Sequence, residues 1–134
     1  MASLKLLNDT VTLFNYIGEV DDRADYQETT LNHCYCILNE GADLNMVGHN
    51  GNDSAKLYIF DDSTSAVDGD GEQRTYLPFH LWTEEEDKTP YWTLSDKGTD
   101  YLCKQGYDNQ LRIIGFTHKK SGSRRMWHYE VDAK

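Results

Sequence analysis

Gln27-Glu28-Thr29-Thr30-Leu31-Asn32-His33-Cys34-Tyr35-Cys36-Ile37-Leu38 is the stretch that decides the fold. Its period is two. Leu31, His33, Tyr35 and Ile37 fall on one face of an extended strand, and Thr30, Asn32, Cys34 and Cys36 fall on the other. Both faces are half apolar and the run is long for a strand, so it is expected to bend and serve two sheets.

The same period recurs on either side. Thr10 to Tyr16 alternates as a first strand, closed by an acidic turn over Ile17-Gly18-Glu19-Val20-Asp21-Asp22. After Leu38, Asn39 to Asp53 holds Gly41, Gly48 and Gly51 and reads as a mobile docking arm. A strand over Ser54 to Phe60 follows, then a second long loop over Asp61 to Glu72. Both loops exceed the usual connection length, which marks them as functional or disordered.

Tyr76 to Asp87 breaks the pattern: Pro78 can open a helical turn and the run Glu84-Glu85-Glu86-Asp87 can solvate its end, so a short helix is predicted there. Further strands are predicted over Tyr91 to Leu94, Thr99 to Lys104, Gln110 to His118 and Arg125 to Val131. The last two are joined by the hairpin loop Lys119 to Arg124. The predicted fold is mainly β: one domain over residues 1–134, a small antiparallel barrel or sandwich of six or seven strands with long loops and one short helix.

Composition agrees. Of 134 residues, 38% are apolar, and nine Tyr, three Trp and four Phe supply large rings that suit sheets. No apolar run is long enough to cross a membrane, and the apolar stretch within Met1 to Asp9 is too short for a signal peptide. Cys34, Cys36 and Cys103 make no even disulfide framework and are read as reduced thiols. The net charge of −10 argues against gripping nucleic acid through a basic surface, yet an acidic wall can let DNA pass without sticking.

No catalytic set emerges. There is no Gly-x-Ser-x-Gly elbow and no cysteine-protease signature, so the chain is read as a non-enzyme without catalytic residues. His33-Cys34-Tyr35-Cys36 lacks the spacing that wraps zinc, and Asp68-Gly69-Asp70-Gly71-Glu72 fails the calcium-loop pattern, so neither metal nor cofactor is expected. Two aromatic clusters remain. Trp127, sharing a strand face with Val131, is read as core. Tyr76, Leu77, Phe79 and Trp82, in an irregular segment beside acids, are read as a protein interface.

Thr12-Leu13-Phe14-Asn15, Ser54 to Phe60, Tyr91-Trp92-Thr93-Leu94 running into Lys97 to Gly106, and Met126-Trp127-His128-Tyr129-Glu130-Val131 occur in an order that resembles small head-to-tail connector proteins of tailed phages infecting low-GC Gram-positive bacteria. The match covers nearly the whole chain as spaced patches. It departs where Lys97 precedes Gly98 and Thr99 separates Gly98 from Asp100, which unsettles the turn register there. The resemblance implies a head-completion, stopper-like protein of the virion neck. Such a protein is made in the host cytoplasm and forms a homo-oligomeric ring between the portal-adaptor ring and the tail proteins, with packaged DNA passing through the lumen without tight binding and no membrane involved. A tail-terminator or other neck protein is the alternative within the assembly; a small metal-binding accessory protein or hydrolase is the alternative outside it. Under the connector reading Asp43, Asp53, Asp61, Asp62, Asp68, Asp70 and Glu72 are the acids expected to face the channel.

Overall fold

The computed structural model describes residues 7–39 and 53–134. The predicted arm over Asn39 to Asp53 therefore lies almost wholly outside the described residues, as does Asp43.

Two antiparallel meanders build the fold. The first is β1 (Asp9–Val20), β2 (Arg23–Asn39) and β3 (Ser54–Phe60); the second is β7 (Tyr101–Lys104), β8 (Leu111–Lys119) and β9 (His128–Ala133). They join at both seams, β3 with β9 and β1 with β7, so antiparallel pairing runs in a ring in the order β1-β2-β3-β9-β8-β7 and returns to β1. The closure is partial: the β7–β8 seam holds two residue pairs, and the β1–β2 ribbon runs on past Phe14 with pairing only between its own two strands. Val11, Leu13, Leu31, Leu57, Ile113 and Val131 fill the interior and are fully buried.

The predicted bend in β2 is present, and its means is a bulge. Thr10 pairs with Asn32 but Asp9 pairs with Cys34, which leaves His33 as an extra residue at φ 61. The bulge swaps the faces. Thr29 and Leu31 point inward before it, Cys34 and Cys36 after it, while Tyr35 and Ile37 are exposed. The two continuous faces read from the sequence are corrected accordingly, because a one-residue insertion moves every later side chain to the other side.

Beyond the bulge, side chains finish the edge that β1 leaves. The Cys36 amide donates to the Asp9 carboxylate at 2.8 Å, and Lys104 Nζ donates to the Cys36 carbonyl at 2.9 Å. On the opposite edge β3 pairs with Tyr35 to Asn39, and β4 (Ser65–Val67) resumes the pairing at Thr30 to Asn32. The connecting turn is pinned to the bulge: Thr64 Oγ1 donates to the His33 carbonyl at 2.8 Å and accepts from the Phe60 amide at 2.9 Å.

The loop predicted over Asp61 to Glu72 is thus partly strand, with Ala66 buried. Its remaining turn is closed by Asp68, which accepts from the amides of Asp70 and Glu72 at 2.8 and 2.9 Å. Those bonds hold the Asp68 carboxyl below its ordinary range. The β1–β2 turn is also tighter than predicted. Asp21 and Asp22 are its only two residues, both at positive φ, a conformation that Asp tolerates better than most residues and that matches the twist of a two-residue hairpin.

The chain crosses from one meander to the other through β5 (Thr75–Tyr76), the helix α1 (Phe79–Trp82) and β6 (Tyr91–Trp92). The helix opens at Pro78 as predicted. Parallel pairing of β5 with β6 lays Tyr76 on Trp92, ring centroids 5.0 Å apart, over one end of the core. Polar bonds stitch this plug to the β1–β2 hairpin. Asn15 is fully buried: its Nδ2 donates to the Thr93 carbonyl and to Asp100 Oδ2, both at 2.9 Å, and its Oδ1 accepts from the Thr93 amide. Arg74 donates to Thr29 Oγ1, and Gln27 to the Tyr91 carbonyl.

His33 supplies a direct test of the closure. A β-branched residue is strained in the left-handed region and glycine is not, so His33→Val should lower stability by about 1–3 kcal/mol while His33→Gly stays within about 1 kcal/mol of the parent. Urea unfolding followed by tryptophan fluorescence measures both, and equal losses in the two variants would contradict the account of the bulge.

Candidate functional site

Strands β1 and β8 are both antiparallel to β7, and β3 and β8 are both antiparallel to β9. β1, β3 and β8 therefore end at the same mouth of the barrel. That mouth carries the Asp21–Asp22 turn, the 61–64 turn, the β8–β9 hairpin and the plug.

A chain of polar and aromatic groups crosses it. His118 Nε2 donates to Asp61 Oδ2 at 2.9 Å, with Oδ1 at 3.2 Å. The imidazole stacks on Tyr129, centroids 4.0 Å apart and planes 5° from parallel. Tyr129 meets Tyr76 ring to ring at 5.0 Å. Burial pushes the Tyr76 and Tyr129 hydroxyls above their ordinary range, the neighbouring Tyr76 and Asp61 adding to the effect at Tyr129. Both tyrosines are therefore neutral donors and acceptors at physiological pH.

The arrangement is a clamp joining three chain segments. Asp61 fixes which His118 nitrogen carries the proton, Tyr129 fixes the plane of its ring, and Tyr76 ties both to the plug. The clamp also anchors the base of the β8–β9 hairpin, where the Asp61 amide donates to the Trp127 carbonyl at 3.0 Å. Trp127 lies outside β9 and outside the buried core, with Lys120 Nζ and the Arg124 guanidinium 5.5 and 5.6 Å from its ring centre. Its predicted place in the core is corrected: a 3-10 turn over Arg124–Met126 delays the start of β9 until His128.

The predicted interface residues divide. Trp82 is 2% exposed and Tyr76 packs against the core, so both leave the interface set and support the plug instead. Leu77 and Phe79 are half-buried, and Leu81, which the sequence reading passed over, is 43% exposed. The acids also divide. Asp61 is turned onto His118, and Asp68 closes its own loop. Asp62 faces Arg124 at 3.7 Å, and Asp70 and Glu72 are exposed. Asp53 accepts from Asn109 Nδ2 at the start of β3, about 26 Å along that strand from Asp61.

Cys34 and Cys36 lie in the barrel interior, where burial is the main cause that pushes their thiols up to about 12 and about 11. Cys103 is part-exposed, with Sγ 3.1 Å from the Tyr107 carbonyl. Among the described residues no group of three or more His, Cys, Asp or Glu is placed to hold a metal ion, and no helix is long and apolar enough to cross a membrane.

Fold and mouth together define a mainly β, antiparallel barrel-like domain whose ring of strands is partly closed, plugged at one end and edged there by two hairpins. The chain belongs to DUF6751, a family of unknown function whose model matches residues 6–134. No curated protein and no solved structure matches it.

Two measurements test this description. Asp61→Ala leaves the imidazole without its acceptor and should cost about 1–3 kcal/mol by urea unfolding, whereas Asp62→Ala, on a pair whose side chains are 42% and 69% exposed, should cost under about 0.5 kcal/mol. Thiol alkylation of the native protein, read by intact mass, should add a single label, on Cys103; full labelling should require denaturant. The raised thiols also make stability fall as pH climbs from 9.0 toward about 11, because the unfolded chain loses those protons first.

Proposed function

We propose that this domain is an assembly part of a tailed-phage neck: a head-completion, stopper-like subunit that forms a ring between the portal-adaptor and the tail. The observation that carries the reading is the β1–β2 ribbon. It continues past the last β1–β7 pair at Phe14, beyond the barrel, and presents Ile17 at 41% and Val20 at 58% exposure. A two-stranded arm with exposed apolar side chains suits docking onto a neighbour better than it suits a lone domain in water. The ordered sequence patches support the same reading, and so does the net charge of −10, which suits a wall that a polyanion slides past. The barrel interior is filled by side chains, so in this reading DNA passes through the hole of the ring and not through the barrel. Exposed Asp62, Asp70 and Glu72 are the acids best placed to face it.

The test is imaging of particles from the phage whose genome encodes the chain. Density fitting this barrel as a ring between portal and tail is the expected result. A gene lying apart from portal and tail genes, or particles that lack the chain, would overturn the neck assignment; density at the tail side would move it to a tail terminator.

A further inference from the structure

The two hairpins at the plugged mouth carry opposite charge. The β1–β2 tip holds Glu19, Asp21, Asp22 and Asp25 against the single base Arg23. The β8–β9 hairpin holds Lys119, Lys120, Arg124 and Arg125 with no acid between His118 and His128. In a chain with 13 basic and 23 acidic residues, four bases in seven positions run against the composition. Lys119, Lys120, Arg124 and Arg125 are all exposed, and the Arg124 side chain is 69% exposed even while it faces Asp62. Each tip also carries an apolar side chain in the open, Val20 on the acidic one and Met126, 37% exposed, on the basic one.

Their positions matter as much as their signs. In the ring order β1-β2-β3-β9-β8-β7 the β1–β2 seam is diametrically opposite the β9–β8 seam. Complementary patches on opposite sides of one rim cannot meet within a molecule, but they can meet between copies. A contact between two different patches is heterologous: it propagates, and it closes into a ring when the rotation between copies allows.

We infer that copies of this chain dock head to tail, the acidic β1–β2 tip of one on the basic β8–β9 hairpin of the next. Val20 and Met126 supply the apolar centre of the contact and the charges its rim. The inference rests on the ring reading only for closure; the pairwise contact stands on charge and position alone. Contact through two hairpin tips is small, so association in dilute solution is weak and salt-dependent.

Sedimentation velocity tests it. At about 0.02 M salt the average mass should rise with protein concentration, and it should return to that of the monomer at about 0.3 M salt, where screening shortens to about 6 Å. One variant reverses the basic tip with Lys119→Glu, Lys120→Glu and Arg125→Glu. A second reverses the acidic tip with Glu19→Lys and Asp25→Lys, joined by Asp21→Asn and Asp22→Gly, which suit positive φ and keep the turn. Each alone should remain monomeric at low salt, while an equimolar mixture of the two should co-sediment as a heteromer, which also shows that both are folded. A wild type that stays monomeric at low salt, association that survives either reversal, or folded variants that fail to combine would each overturn the inference. Successful mixing in a chain whose gene lies apart from portal and tail genes would leave the head-to-tail contact standing and remove only the neck assignment.

Discussion

A barrel closes only if each of its strands is paired on both edges without turning apolar side chains outward, and β2 is where this chain meets that constraint. Its first half must face β1 on one edge and β4 on the other, and its second half must face β3. The extra residue His33, at φ 61, redirects the strand and switches which parity points inward, so the buried set passes from Leu31 to Cys34 and Cys36. A regular strand would have put Tyr35 and Ile37 into the barrel, where larger side chains would meet a closed core. The left-handed conformation costs of order 1–3 kcal/mol. The bonds from Asp9, Lys104 and Thr64 to the backbone around it offset that cost by satisfying groups that the bend would otherwise strand.

Alternation made the strands legible. Val11, Leu13, Leu57, Ile59, Ile113 and Val131 stand where period two puts them, and the helix opens at Pro78. Three features were hidden because they depend on partners distant in sequence. The parity switch at His33 is set by Asp9, 24 positions earlier, and no local signal marks it. β4 was lost in a run of Asp, Ser and Thr because its register comes from β2. The plug looked like a docking surface because Tyr76 and Trp82 sit among acids and turns, but a barrel of this size needs something over its open end, and a long crossing segment rich in rings provides it. The site suffered most. Asp61 and His118 lie 57 positions apart and acquire meaning only when β3 and β8 end at one mouth.

Polar groups in this chain are sorted by depth. Asp100 is 2% exposed and is held by Asn15, the Tyr16 amide and Thr99. Burial pushes its carboxyl up and those donors oppose the shift. Its contribution is therefore most favourable below the ordinary carboxylate range and weakens as pH rises through the folded value. The donors limit that penalty and fix the plug in one orientation. Farther out, the clamp from Asp61 to Tyr76 is half-buried and sets the angle of the β8–β9 hairpin. At the surface, the charges are exposed and contribute little to folding, which leaves them available for recognition.

Closure has a price in interaction modes. Where its strands are paired on both edges, the barrel offers no site for adding a strand, which is the usual route for an open sheet. Among the described residues, the β1–β2 ribbon and the basic hairpin extend from it, both at the plugged mouth and on opposite sides of the ring of strands. A net charge of −10 keeps copies apart in most orientations. The one orientation that brings Glu19, Asp21, Asp22 and Asp25 onto Lys119, Lys120, Arg124 and Arg125 reverses the sign of that force. General repulsion with one attractive alignment selects geometry more than strength, because misaligned encounters are penalised as the aligned one is favoured. Under the proposed neck assignment, that combination keeps a subunit dispersed until it meets its place in the assembly, and the hairpins supply it without opening the barrel.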